Sequence, residues 1–463
     1  MSAPELRPYQ TACVTGVRNS YAQGRRAPLL ALATAGGKTV IFAAVTHGAR
    51  AKGKRVGVIV HRRELVRQAC AKLTWTGVPH GVIAAGFDPN PDELVQVGSV
   101  QTMIRRRALP PFDLMVFDEA HHCRAESWRK LIAQFPDAKI LGVTATPQRS
   151  DGRGLGVDAG GPFDDLILGP PVADLIAGGY LSPVRVFVPA RKLDLRHVRV
   201  VAGDYAANEL EGVVNTREIS GDAVRDYQLR ADHQPAIAFC VTVKHAAEVA
   251  EAFCAAGYRA ACVHGGTPTD ERDALIAGLG TGEVEVLTNC ALIDEGLDVP
   301  MVSAVILLRP TKSLVLHRQQ IGRGMRPAEG KAELIVNDHV GNCLVHGLPT
   351  TEPAWSLDGV PKPEGEAPVW TCPECGEAHP LSVRVCECGY ELPAPMGRRA
   401  LVVTPGDLAE LTAERLARVR LMTWREMQRS NLSEAELREF ALARGYKLGW
   451  VHYRLREQQE GAR

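Results

Sequence analysis

The sequence predicts an α/β protein with two tandem parallel-sheet domains, followed by a small cysteine-rich module and a helical C-terminal segment. Three observations carry this. Short apolar runs alternate with amphipathic stretches as far as about residue 345, the rhythm of βα units in a parallel sheet. The alternation weakens once, between about 150 and 180, in a stretch dense in Gly and Pro (DGRGLGVDAGGPFDD). The last four of twelve cysteines fall together, from Cys372 to Cys388. The length of 463 residues agrees, because a single core rarely grows past ~250–300 residues.

In the first domain, 1–178, buried strands are expected at 29–33, 56–60, 114–117 and 140–143. In the second, 179–348, they are expected at 184–188, 236–241, 260–263, 284–288 and 304–308. Residues 190–232 are charged and partly helical, and read as a lead-in or insertion on the second domain. From 349 to 369 the composition shifts to Pro, Glu, Gly and Thr, which marks a linker. The cysteine module occupies 370–393. In the last segment, 400–463, DLAELTAERLARVRLM has apolar residues at helical spacing, and Asn431-Leu432-Ser433-Glu434 suits a helix start.

The apolar fraction of 45% and charged fraction of 23% are those of a soluble globular chain. A net charge of +1 excludes polyanion binding by bulk charge, so any such surface is a local patch. The opening MSAPELRPYQ is polar and lacks the apolar core of a signal peptide. No run of 18 apolar residues exists, so no membrane span is expected. Eight cysteines are scattered singly, in settings such as IAFCV and AACVH. They read as small buried hydrophobes in a reduced cytoplasm.

The run LLALATAGGKTVIFAAV places Gly36-Gly37-Lys38-Thr39 between a buried strand and an apolar helix. Glycines let backbone N–H groups turn toward phosphate oxygens, and the helix N-terminus adds a favourable dipole. Lys38 would reach the β- and γ-phosphates of ATP, and the Thr39 hydroxyl would bind Mg²⁺. Thr34 and Ala35 complete the loop. Leu32 and Ala35 stand where the strict pattern has or favours glycine. Downstream, DLMVFDEAHH is an apolar strand ending in Asp118-Glu119. Asp118 suits Mg²⁺, and Glu119 suits general-base activation of the attacking water.

Taken in order, these segments resemble the superfamily-2 helicases and translocases over roughly residues 5–345. ELRPYQ resembles the adenine-reading segment, with Gln10 on the base and Arg7 and Tyr9 beside it. ATAGGKT is similar to motif I, VHRRELVRQ (60–68) to motif Ia and VGSVQTM (97–103) to motif Ib. DEAH (118–121) matches motif II, and Thr144-Ala145-Thr146 motif III. AIAFCVTVKHAAEVAEAF resembles motif IV, VLTNCALIDEGLDVP (286–300) motif V and HRQQIGRGMRP (317–327) motif VI. The resemblance implies two RecA-like domains with ATP in the cleft between them. Lys38, Thr39, Asp118 and Glu119 would form one wall; Gln319, Arg323 and Arg326 would form the other. Gly296 and Asp298 would sit near the sugar or γ-phosphate. An arginine fork fits the charge that spreads over a transferring phosphate.

The resemblance also implies nucleic acid across both domains. Its candidate contacts are Arg62 and Arg63, Gln101 and Thr102, and Thr288 and Asn289. Amides, hydroxyls and arginines of this kind hold phosphate and sugar without reading sequence. Arg105-Arg106-Arg107 extends the track or is a solvated face. Arg-Pro-Tyr-Gln, Thr-Ala-Thr-Pro with Arg149, and Gly-Arg-Gly-Met-Arg resemble the branch of repair translocases, restriction motors and phage helicases, so DNA is favoured over RNA. An RNA helicase and a nucleic-acid-binding scaffold with a vestigial ATPase are the competing expectations.

Cys372-Pro-Glu-Cys375-Gly and Cys386-Glu-Cys388-Gly place four thiols within 17 positions. In a reduced compartment that spacing favours a structural Zn²⁺ ribbon over disulfides. The second pair is tighter than the first, and His379 is the alternative ligand. Residues 398–463 carry 13 Lys/Arg against 9 Asp/Glu. There, aromatic and basic residues interleave in ARGYKLGWVHYRLRE, to contact nucleic acid or to pack Trp450 and Tyr453 into a small core.

Overall fold

The computed structural model describes residues 5–392, except 62, 124–125, 150–151, 190–192, 194, 196, 202, 215–216, 291–300, 360–368 and 381–382. Beyond these it describes 419, 421–430, 432, 434–444, 446, 450–451 and 454–455. Two compact units result, Met1–Leu392 and Pro393–Arg463.

The first lobe is a seven-stranded sheet. Its strands are β1 (Pro28–Ala31), β2 (Val56–Val60), β3 (Gly81–Ile83), β4 (Val95–Ser99), β5 (Leu114–Phe117), β6 (Lys139–Thr144) and β7 (Asp165–Leu168). Their order is β3-β4-β2-β5-β6-β1-β7, and every neighbouring pair is parallel. Side chains alternate across the sheet, as a strand's period of two requires. Leu30, Val58, Val116 and Val143 face the helices Pro8–Ala22, Lys38–Arg50 and Arg63–Trp75. Leu29, Ile59, Met115 and Ile140 face the helix Glu126–Ala133 through Trp128 and Leu131.

The second lobe begins with β8 (Val184–Phe187) and a short antiparallel pair, β9 (Val200–Val201) and β10 (Asp204–Tyr205). Helices Ala207–Val214 and Arg217–Ala231 follow. The sheet continues with β11 (Ala236–Phe239), β12 (Ala260–Val263), β13 (Val286–Asn289), β14 (Ala304–Leu307) and β15 (Leu334–Asp338). The order is β12-β13-β11-β14-β15-β8, again all parallel. The two RecA-like lobes share one contiguous apolar cluster that includes Val143, Leu181 and Val305.

All nine expected strands are present, with ends shifted by at most two residues. β7 was hidden in the Gly- and Pro-dense stretch. It is a four-residue edge strand with partly exposed side chains, so it lacks the apolar run that marks a buried one.

Residues 349–359, expected within a linker, are docked. The Glu352 carboxylate accepts the Val172 N–H at 3.2 Å and the Trp355 indole N–H at 3.0 Å, and pairs with Arg318 at 3.4 Å. Further on, Leu357 O accepts the Gly156 N–H at 2.8 Å. A Cβ on Gly154 would lie 2.0 Å from that carbonyl, so only glycine fits there. The cysteine module then pairs β16 (Val369–Thr371) with β17 (Ala378–Pro380). It rests on the edge of β8 through an antiparallel bridge between Phe187 and Glu377, and an ion pair between Arg185 and Glu377 at 3.2 Å.

In the second unit the helices Trp424–Arg429 and Glu434–Ala443 enclose Met427, Leu437, Phe440 and Val451. Trp450 packs against this core, and Tyr453 lies outside the described residues. Among the described residues no helix is long and apolar enough to cross a membrane.

Candidate nucleotide site and nucleic-acid interface

The phosphate loop leaves β1 and enters the helix Lys38–Arg50, whose N-cap is Gly37 at φ +86°. Ala35 is also left-handed, at φ +66°. An alanine there costs about 1–2 kcal/mol relative to a relaxed backbone. The loop holds this shape because the Tyr9 hydroxyl donates to Gly36 O at 2.8 Å. Gln10 presses on Gly37 so closely that a Cβ would lie 2.5 Å from its Nε2. Gln10 Oε1 accepts the Arg7 N–H at 3.0 Å, which fixes the start of the first helix.

Tyr180 belongs to this corner and was not singled out in the sequence. Its ring centroid is 5.0 Å from that of Tyr9, and the Arg7 guanidinium lies 5.0 Å from the Tyr180 centroid. These groups form a cation–aromatic shelf beside the loop, of the kind that takes a flat base. The signal available was a tyrosine after Gly-Gly at the junction of the two domains.

Lys38 is buried and donates to Leu32 O at 3.4 Å. Burial lowers its pKa, the carboxylates of Glu119 and Asp118 act to raise it, and Arg323 and Arg326 act to lower it. One ammonium therefore feels the acidic pair of its own lobe and both arginines of the other. Asp118 follows β5, and its Oδ1 accepts the Glu119 N–H at 2.9 Å. Glu119 is left-handed, at φ +49° and ψ 52°. Its Oε2 lies 3.4 Å from His121 Nδ1, and His121 Nδ1 is 3.3 Å from Thr144 Oγ1. Thr144 also accepts the Thr146 N–H at 3.2 Å, so motif III braces motif II.

The opposing wall is the helix Leu314–Gly322 and the 3-10 turn Arg323–Met325. Arg326 O accepts from Ser182 Oγ at 3.1 Å and from Lys331 Nζ at 2.9 Å, which pins the turn. Burial lowers the pKa of Arg326 and brings that of Lys331 down to about 8. Gln319 is buried, and its Nε2 has no hydrogen-bond partner. Thr39 and Asp118, both half-buried, are the oxygen donors that would hold Mg²⁺. Gly296 and Asp298 lie outside the described residues.

Of the nucleic-acid candidates, Gln101 is exposed, as are Arg105, Arg106 and Arg107. Thr102 is half-buried and its Oγ1 accepts from Ser99 Oγ at 2.9 Å. Arg62 and the side chain of Arg63 lie outside the described residues. Thr288 and Asn289 require correction. Both are fully buried; Thr288 Oγ1 donates to Ala246 O at 2.7 Å, and Asn289 Nδ2 to Ala238 O at 3.0 Å. They tie strands and a helix of the second lobe together and present nothing to a nucleic-acid strand.

In the cysteine module Cys372 and Cys388 sulfurs are 3.5 Å apart, and Cys375 and Cys386 sulfurs 3.4 Å. All four lie within 4.8 Å of one another. Zn–S bonds of about 2.3 Å in a tetrahedron give S···S edges of about 3.8 Å, so the set fits that ion. His379 Nε2 is 3.2 Å from Cys386 Sγ, which makes it a donor to that sulfur or a replacement for it.

Two RecA-like lobes with a phosphate loop, an acidic pair and facing arginines define a nucleic-acid-dependent ATPase. The family described as Type III restriction enzyme, res subunit, matches residues 3–149, and Helicase conserved C-terminal domain matches residues 221–328. A 51.5 kDa protein of a Lactococcus phage is 35% identical over 362 residues, 77% of this chain and 76% of that one. A Saccharomyces cerevisiae protein, provisionally named as an ATP-dependent helicase, is 32% identical over 364 residues; these are 73% of this chain but 52% of that protein. A fragment of a provisionally assigned HsdR subunit of a type I restriction enzyme from Vibrio vulnificus shares the fold, with a TM-score of 0.59, 22% identity, and coverage of 78% of this chain and 68% of its own. The chain belongs to the superfamily-2 helicases.

Proposed function

We propose that this protein is an ATP-driven DNA helicase or translocase whose hydrolysis is completed by apposition of its two lobes. The observation that carries the reading is the close apposition of the second lobe to the phosphate loop, where a Cβ on Gly322 would lie 2.4 Å from Thr34 Cβ; burial lowers the pKa of Lys38 there, Glu119 and Asp118 of one lobe act to raise it, and Arg323 and Arg326 of the other act to lower it. Lys38 binds the β- and γ-phosphates. Thr39 and Asp118 hold Mg²⁺, which supplies charge neutralisation on the phosphates. Glu119 takes the proton of the attacking water. Arg323 and Arg326, positioned with Gln319, stabilise charge on the transferring phosphate. Arg7, Tyr9 and Gln10, with Tyr180, seat the adenine.

Nucleic acid lies over Arg62, Arg63, Gln101 and Thr102. DNA rather than RNA is favoured because both the family match and the structural neighbour are named for restriction enzymes. Cys372, Cys375, Cys386 and Cys388 hold a structural Zn²⁺, and the protein works in the cytoplasm. The test is ATP turnover with single-stranded, duplex and forked DNA, and with RNA of matched length. Stimulation by DNA above RNA supports the reading; indifference to every nucleic acid overturns it.

A further inference from the structure

A buried ion pair beside the second wall has no part in the chemistry above. After the helix Asn342–His346 the chain leaves the second lobe and runs back over the first. Leu348 and Pro349 line a small cavity together with Thr34 of the phosphate loop, Ala145 of motif III and Gly322. Glu352 comes next, and its two carboxylate oxygens serve different lobes. Oε1 accepts the Val172 N–H at 3.2 Å. Val172 lies three residues beyond Gly169, whose N–H donates to Ala31 O at 2.8 Å, at the end of the strand that enters the phosphate loop. Oε2 accepts from Arg318 Nη1 at 3.4 Å, on the helix Leu314–Gly322. Arg318 also donates to Thr351 O, and its guanidinium lies 5.6 Å from the Trp355 ring centroid. Its side chain is only 12% exposed. Farther on, an antiparallel bridge between Arg153 and Gly359 secures the segment to the first lobe.

We propose that Glu352 and Arg318 are positioning residues for ATP hydrolysis, which set the rotation of the helix Leu314–Gly322 and thereby the aim of Arg323. The proposal rests on the reading of an ATP site completed by both lobes, and it names what holds the second wall in register with the first. Arg318 and Gly322 are four residues apart and so share a face of that helix. Gly322 meets Thr34 of the phosphate loop, and Arg318 meets Glu352. Two contacts on one face fix both the rotation of a helix and its slide along its axis. Arg323 follows Gly322 directly and opens the 3-10 turn, so the same two contacts set its direction. Burial acts to lower the pKa of Arg318, and Glu352 opposes this. Without the charge at 352, the guanidinium becomes a buried cation that has lost its carboxylate. Such a cation is costly enough to turn its side chain toward water. The helix turns with it, and Arg323 swings off the transferring phosphate.

The experiment uses the full chain with Glu352→Gln, Glu352→Asp, Arg323→Ala and the pair Glu352→Gln with Arg323→Ala. ATP turnover is measured with a saturating single-stranded DNA oligonucleotide, and single-turnover hydrolysis is used for the slow variants. Glu352→Gln keeps the length of the side chain and an acceptor for Val172 but drops the charge. It should lower kcat about tenfold or more, with ATP KM within about threefold of wild type, because a small misplacement costs rate before it costs binding. Glu352→Asp keeps the charge and should lose less. In the Arg323→Ala background Glu352→Gln should cost less than about threefold, since the group it aims is already gone. A general loosening of the fold would cost the same in both backgrounds. Wild-type turnover by Glu352→Gln overturns the inference alone. So does a loss confined to KM, an aspartate variant worse than glutamine, or an equal loss with and without Arg323. A wild type that does not hydrolyse ATP, or an Arg323→Ala variant that turns over normally, overturns the reading of the site and this inference with it.

Discussion

Gly322 of the second lobe abuts Thr34 of the phosphate loop so closely that a Cβ on the glycine would lie 2.4 Å from Thr34 Cβ. Gly322 is helical, so its backbone angles would accept alanine; only the approach of the two lobes forbids it. Gly322→Ala should therefore lower kcat/KM for ATP about tenfold or more, at the cost of a misfit worth about 1–3 kcal/mol. The melting temperature should fall little, because the substitution removes no buried side chain and the clusters around Trp128 and around Tyr227 are each confined to one lobe. Steady-state kinetics paired with thermal melting checks this.

Arg323→Ala and Arg326→Ala should each lower stimulated kcat by about 10³–10⁵ if they act as transition-state arginines. ATP affinity should fall far less. A loss confined to KM would assign them to ground-state binding instead. Single-turnover hydrolysis with labelled ATP separates the two.

On the opposite wall, Lys38→Ala should abolish ATP binding, whereas Glu119→Gln should bind ATP and fail to hydrolyse it. Equilibrium binding of a fluorescent ATP analogue, alongside phosphate release, distinguishes them. Normal turnover by Glu119→Gln would remove it as the general base.

The second lobe should be acid-sensitive. Burial holds His245 and His339 down to about 4, and lowers His317 and His346 as well. An unfolded histidine takes a proton near its ordinary value of 6.5, so between about 6.5 and 4 the unfolded chain binds more protons than the folded one. Stability from these groups is complete above that window and falls as pH drops through it. Melting temperature measured from pH 7.5 to 4.5 should decline, and His245→Gln should flatten the decline.

Metal analysis of the purified chain should give about one zinc per chain, bound by four thiolates. Cys372→Ser should reduce this below half an equivalent. Because the module rests on β8 through Glu377, its metal-free form should also loosen that edge, seen as faster amide exchange at Val184–Phe187. Full zinc in Cys372→Ser together with loss in His379→Ala would transfer the fourth ligand to the histidine.

Most strands, and the loop and acidic pair proposed to bind ATP, were legible because they depend on local pattern. A buried strand running into Gly-Gly-Lys-Thr, or into Asp-Glu, stands out within a dozen residues. Ala35 looked like a departure from the pattern, yet its backbone adopts the left-handed angle that a glycine would. What sequence could not supply was direction. Thr288 and Asn289 lie at the end of β13, where either the interior or the cleft was open to their side chains, and they took the interior. Tyr180 and Glu352 act on partners about 170 to 180 positions away, beyond the reach of any periodicity.

The docking of residues 349–359 has a mechanical consequence. The chain passes from the first lobe to the second, returns to lay Leu357 on Gly156, and is next described bridging β8 of the second lobe. Two bodies joined by one strand can swing like a door. These are laced, with Glu352 tied at one stitch to both Val172 and Arg318. Any excursion that accompanies turnover must either stay within the slack of that lacing or undo the Glu352 stitch.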